Sequence, residues 1–139
     1  MPVIDSNVYA SVVVKDEFYE KCKEYMLMKK VTLDLAFAEA GNVIWKHVRM
    51  GRIKREDALK RAEALKRLIS TSEVYESKDF LVEAVESAVK YDITVYDALF
   101  LVLTKKLNEE LVTTDQKLWE KLKYTDASHL IKCLTSPSD

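Results

Sequence analysis

Every short β-branched or apolar run in this chain is followed by a segment with helical spacing before the next run begins. Residues 1–4 are apolar and stop at Asp5. Residues 31–35 are rich in β-branched and apolar side chains, 72–75 and 111–113 repeat the pattern, and 127–130 offer a fifth run. Strands separated by helices join by crossovers, which makes their sheet parallel and covers both its faces. The expected fold is therefore α/β, with a short, mostly parallel central sheet of four to five strands.

The intervening helices follow from periodicity and caps. A first short helix is expected over 7–14. Asp16 resembles an N-cap, with Phe18, Cys22, Tyr25 and Met26 at helical spacing behind it. A helix over 36–50 carries Phe37, Ala40, Ile44 and Val48 as its core stripe and stops at Gly51. Ala58, Ala62, Leu65, Leu68 and Ile69 mark another over 54–69, with a heavily charged outer face. Ser77 introduces a helix with Phe80, Ala84, Val85 and Ala88 that ends near Tyr91. Thr94 opens the next, which runs to about Leu107 and is apolar almost all round. Such a helix is buried on more than one side, between sheet and neighbour or at a dimer contact. A short helix over 115–122 completes the set. With two glycines and two prolines there is little room for tight turns and much for helix. Residues 1–134 are expected to form one domain and 135–139 a disordered tail.

Composition excludes several classes. A chain of 139 residues that is 48% apolar can bury a core without disulfides or structural zinc. Cys22 and Cys133 lie far apart, lack zinc-ligand spacing and read as small apolar residues of a protein in a reducing cytoplasm. No basic leader precedes Asp5, and the most apolar run, 99–103, is far too short to span a bilayer. A net charge of −1 makes the whole molecule no magnet for polyanions. Residues 46–67 nonetheless carry nine basic side chains against three acidic ones. That segment is either a source of phosphate contacts or an ordinary solvated helix face.

Four acids carry the chemistry. Asp5 closes the first run and Asp115 the fourth, while Glu39 and Asp97 stand near the openings of their helices. Strand ends and helix openings share the carboxyl edge of a parallel sheet, where ligand crevices form. Singly, each acid has an ordinary reading. Asp5 precedes Ser6 and Asn7 in a turn-forming group, and Glu39 complements a helix dipole. Thr94 and Asp97 have the spacing of a capping box, and Asp115 caps the helix containing Leu118 and Leu122. Gathered in one crevice, the four would repel one another unless a cation joined them. Oxygen-only donors suit Mg²⁺ or Mn²⁺, which activates water and stabilises the oxyanions of a displacement at phosphorus. The pattern predicts a metal-dependent phosphodiester-cleaving enzyme, a ribonuclease. His47 reads as a helix-surface residue and His129 as part of an edge strand. Trp45 and Trp119 read as packing residues. Lys46, two turns beyond Glu39 on roughly the same face, and Arg49 are expected to guide RNA phosphates.

The segments Val3-Ile4-Asp5-Ser6-Asn7, Glu39 with Asn42 and Val43, Thr94-Val95-Tyr96-Asp97-Ala98-Leu99 and Leu111-Val112-Thr113-Thr114-Asp115 occur in an order and spacing that resembles the PIN-domain family. The likeness covers residues 3–134 and is nearest to the VapC-type ribonuclease toxins of prokaryotic toxin–antitoxin pairs. It implies a three-layer α/β/α PIN-like sandwich with one or two Mg²⁺ or Mn²⁺ ions held by Asp5, Glu39, Asp97 and Asp115. It makes Asn7 and Thr113 polar neighbours that orient ligands or waters. Ser6 stands where the family often has Thr and keeps the hydroxyl. The resemblance further implies an RNA substrate, a homodimer, and a VapB-type antitoxin whose C-terminal segment covers the active site. A non-catalytic RNA-binding or assembly module and a housekeeping RNA-processing nuclease are the alternatives. A phosphatase with an aspartyl nucleophile needs Asp-x-Asp, and this chain has Asp5-Ser6-Asn7.

Overall fold

The computed structural model describes residues 1–137; 138 and 139, the end of the expected tail, lie outside the described residues. The elements are β1 (Val3–Ile4), α1 (Ser6–Val14), α2 (Tyr19–Lys23), β2 (Val31–Leu33), α3 (Leu35–Arg49), α4 (Arg55–Ser70), β3 (Glu73–Tyr75), α5 (Leu81–Tyr91), α6 (Val95–Leu107), β4 (Leu111–Thr113), α7 (Gln116–Leu122) and β5 (Ile131–Cys133). Short 3-10 turns occupy Glu24–Leu27, Ser77–Phe80 and Ser128–Leu130.

Among the described residues the five strands form one sheet in the order β3-β2-β1-β4-β5. Every neighbouring pair is parallel, with Val3 opposite both Val31 and Leu111, and Ile4 opposite Val112. The chain winds outward from β1 through β2 to β3, then returns to β4 on the other side of β1. Right-handed crossovers then place the helices of the first half on one face and those of the second half on the other. Accordingly α1 packs against α3 and α4, and α5 against α6. The strand order reverses between β1 and β4, and there the carboxyl ends open a crevice. No helix among the described residues is long and apolar enough to cross a membrane.

β1 and β4 are buried throughout, as continuous apolar runs in a doubly covered sheet should be. The side chains of α6 from Ala98 to Leu103 are all buried, so its apolar surface is consumed between the sheet and α5. The stretch from Ala98 to Leu103 is thus not free to face a second molecule, while Tyr96 on the same helix is 58% exposed. On α5, four aliphatic side chains are exposed on one helix: Leu81 49%, Val82 83%, Val85 45% and Val89 81%.

Several expectations shift. The fifth strand is Ile131–Cys133, not 127–130. The amides of Ser128 and Leu130 bond to the carbonyls of Thr125 and Ala127, which closes a turn and moves His129 off the edge strand. The helix expected after Asp16 is broken into α2 and a 3-10 turn; the N-cap position of α2 is Phe18, without a side-chain cap, and Asp16 instead closes the turn before it by accepting from the Phe18 amide. The buried stripe of α3 is Ala36, Ala40 and Ile44, with Phe37 turned outward. Three helices end on residues other than glycine in the left-handed conformation, Lys15, Asp92 and Asn108, while Gly51 takes that role after α3. Of the expected tail, Thr135 accepts from Lys21 Nζ at 3.0 Å and Ser136 is buried.

Candidate active site

β1 delivers Asp5 to the crevice almost fully buried. Its Oδ1 accepts from the Ser6 amide at 2.8 Å, which caps α1. Its Oδ2 accepts from Thr113 Oγ1 at 2.7 Å, tying the ends of β1 and β4 together. Asn7 braces the same junction. Its Nδ2 donates to Asp5 Oδ2 at 3.4 Å and to Thr113 Oγ1 at 3.3 Å, and its Oδ1 accepts from the Thr114 amide at 3.2 Å. Thr113 Oγ1 also accepts from the Asp115 amide at 3.1 Å. Asp115 Oδ1 in turn caps α7 through the Leu118 amide at 3.0 Å.

α3 and α6 supply the opposite walls. Glu39 lies in the second turn of α3, and its Oε1 accepts from Ser6 Oγ at 2.8 Å. Asp97 sits in the first turn of α6, where its amide donates to Thr94 Oγ1 at 3.1 Å. The resulting cavity of about 250 Å³ is lined by all four acids together with Ser6, Asn7, Asn42, Val43 and Lys46.

The electrostatics are those of crowded anions. Burial pushes the Asp5 carboxyl up to about 7, with the charges of Asp97 and Glu39 adding to it and the hydrogen bonds from Thr113 and Ser6 opposing it. Asp97 is pushed up to about 6 by burial, then by the charges of Asp115 and Glu39, against the Thr94 hydrogen bond and the Lys121 ammonium. Glu39 is raised by burial and lowered by Ser6. None of the four belongs to an ion pair between the described residues. Among those residues, too, no three His, Cys, Asp or Glu side chains already stand close enough to grip one ion. Uncompensated like charges keep apart, and a dication removes the reason for that separation. The donor set fits a hard cation: four carboxylates, with the hydroxyl of Ser6 and the amide oxygens of Asn7 and Asn42 beside them.

The fold thus brings Asp5, Glu39, Asp97, Asp115, Ser6, Asn7 and Lys46 to one cavity wall, with Thr113 directly behind Asp5. It does not bring Arg49, whose guanidinium lies over the Trp45 ring, 5.5 Å from its centroid. Trp45 is 53% exposed, contrary to the packing role expected of it. Two residues had no assigned part. Asn42 lines the cavity one turn beyond Glu39, a position readable from helical spacing. Lys121 acts on Asp97 from α7 while donating to the Asp92 carbonyl at 2.6 Å, and no local motif announces it.

Comparison with known proteins agrees with this architecture. A model of the PIN domain matches residues 3–127. Ribonuclease VapC3 of Pyrobaculum aerophilum is 32% identical over 121 residues, which cover 86% of this chain and 92% of that protein. Exonuclease VapC9 of the same organism is 35% identical over 95 residues, 68% of either chain. A crystal structure of a Pyrobaculum aerophilum protein superimposes with a TM-score of 0.66 at 29% identity, covering 93% of this chain and 81% of that one. A toxin–antitoxin complex from Klebsiella pneumoniae gives a TM-score of 0.67 at 13% identity, over 95% and 96% of the two chains, a likeness of fold alone. With a family model spanning nearly the whole sheet and a relative this similar along most of its length, the chain belongs to the PIN domain family.

Proposed function

We propose that this protein is a divalent-metal-dependent endoribonuclease and the toxin of a VapBC-type toxin–antitoxin pair. The observation that carries the reading is the meeting of four carboxylates, from four separate elements, in one crevice where, among the described residues, no cationic side chain forms an ion pair with any of them. Asp5, Glu39, Asp97 and Asp115 would hold one or two Mg²⁺ or Mn²⁺ ions. When bound, the metal supplies charge neutralisation at the transferring phosphorus and acidifies a water.

The chain's own residues do the rest. Ser6 fixes Glu39, and Thr113 with Asn7 fixes Asp5, so two ligands enter the reaction already oriented. A carboxylate of the cluster takes the proton from the water that attacks phosphorus, and the P–O bond to the departing nucleotide breaks as the new one forms. Lys46, on the cavity wall, steers a backbone phosphate inward.

The names of the two curated relatives differ, one a ribonuclease and the other an exonuclease, so the position of cutting is tested with a substrate that has no ends. A circular single-stranded RNA is expected to be linearised and then fragmented with Mn²⁺, and to survive with chelator. Degradation of linear RNA with the circle left whole would make the enzyme an exonuclease. An RNA-binding module would leave both intact.

The partners follow from the same reading: a VapB-type antitoxin and a second copy of the chain. The dimer surface we assign is the α5 stripe of Leu81, Val82, Val85 and Val89, whose exposure is unusual for aliphatic side chains on one helix. Val82→Asp with Val89→Asp should halve the mass measured by light scattering without lowering the melting temperature. An unchanged mass would place the contact elsewhere.

A further inference from the structure

The outer face of α3 carries a tryptophan–arginine pair that the four-acid crevice does not use. Trp45 is 53% exposed, and the Arg49 guanidinium lies 5.5 Å from its ring centroid, within cation–π range. Arg49 is one turn beyond Trp45 and three residues past Lys46, so it stands on the helix surface beside both. Lys46 itself lines the crevice. The pair is therefore continuous with the proposed catalytic site along a single rigid helix.

Behind the ring, a groove of about 310 Å³ runs between α3 and α4, with Ile44, Val48, Ala58, Leu59 and Arg55 on its walls and, among the described residues, no acidic side chain in its lining. Leu59 is 76% exposed at its edge. An apolar protein helix laid here would set Arg49 and Arg55 against no opposite charge. A single-stranded nucleic acid meets both demands at once, since each nucleotide offers a flat π face and an anion.

We propose that Trp45 and Arg49 form a base-stacking platform for an RNA nucleotide next to the scissile phosphate. The proposal rests on the ribonuclease reading. The base lies on the Trp45 ring, Arg49 holds the adjoining phosphate, and Lys46 takes the phosphate between the platform and the acids. Stacking tolerates any base, so the platform supplies affinity and register and leaves sequence choice to other contacts.

The chain has two tryptophans, and a Trp119→Phe background makes Trp45 the sole reporter. A short oligoribonucleotide of mixed sequence is titrated in chelator, which keeps the strand whole, while cleavage by the parent protein with Mn²⁺ is followed separately. Trp45 emission should be quenched on binding. In the parent sequence, Trp45→Ala should bind the strand about 5- to 100-fold more weakly, with Trp45→Tyr close to the parent. Arg49→Gln should weaken binding less and flatten its salt dependence by about one phosphate contact. Equal melting temperatures exclude a folding defect, and recovery with Tyr separates stacking from mere bulk. If the parent binds and cuts RNA while Trp45 emission stays constant and Trp45→Ala binds as tightly, the platform is wrong and the ribonuclease reading stands, leaving this face to an acidic protein. If the parent neither binds nor cuts RNA, the ribonuclease reading fails and the platform with it.

Discussion

An Asp97→Asn protein is expected to stop cutting RNA while remaining folded. The substitution keeps the shape of the side chain and removes one negative charge from a crevice in which Asp115 and Glu39 already act on it. A neutral amide oxygen is a much poorer ligand for Mg²⁺ or Mn²⁺ than a carboxylate, and the lost metal charge is worth several kcal/mol at the transition state. Cleavage should fall by about 10³-fold or more. The fold should not suffer, because relieving repulsion and desolvation at a half-buried acid favours the native state. In chelator at about pH 8 the melting temperature should therefore equal the parent's or exceed it. A variant that cuts as fast as the parent would remove Asp97 from the site. Loss of activity together with a collapsed melting temperature would make its role structural.

The second large effect is a coupling between pH, metal and stability. The Asp5 carboxyl stands at about 7 in the folded protein against an ordinary value of 3.8, and Asp97 at about 6 against the same 3.8. Acids raised in this way bind more protons folded than unfolded between those values, so ν_U − ν_N is negative there and stability falls as pH rises. Below about pH 4 the cost is absent, and above about pH 7 it is fully present, of order 4 kcal/mol for the nearly fully buried Asp5. Metal-free protein should thus lose stability from this source between those limits, opposite to the usual behaviour of a salt-bridged aspartate. A dication binds only the ionised cluster. At about one hundred times its Kd and about pH 8, Mn²⁺ should raise the melting temperature by about 5–10 °C. At about pH 5 the same addition should do much less, since protons compete for the same oxygens. Scanning calorimetry with and without chelator across this range checks both signs. A metal effect that grows as pH falls would contradict the account.

Much of this was legible in the sequence where one local pattern fixes one local structure. Val3-Ile4 and Leu111-Val112-Thr113 are apolar runs that end on turn-forming acids, and they are β1 and β4 with Asp5 and Asp115 at their tips. Thr94 caps α6 through the Asp97 amide, as the three-residue spacing requires. What resisted reading depends on partners distant along the chain. The bond by which Thr113 locks Asp5, and the one by which Asn7 braces Thr113, join residues more than 100 positions apart, and nothing near Asp5 specifies Thr113 as the partner. The sides of α6 could not be told apart because apolarity alone does not say whether a helix or a second molecule covers it. Phe37 faces outward although its spacing fits the core, since the small Ala36 and Ala40 are what let α3 approach its neighbours. The turn over Ser128–Leu130 outcompeted a strand through hydrogen bonds to Thr125 and Ala127, leaving the β-branched Ile131 to begin pairing with Leu111.

The measurement that bears most directly on the central claim is the position of Mn²⁺ in crystals of the parent protein, located by its anomalous scattering. The account predicts one or two peaks in the cavity bounded by Asp5, Glu39, Asp97 and Asp115, with carboxylate oxygens from at least three of them drawn to about 2.0–2.3 Å. Peaks confined to other surfaces, or none in the cavity at saturating Mn²⁺, would contradict it.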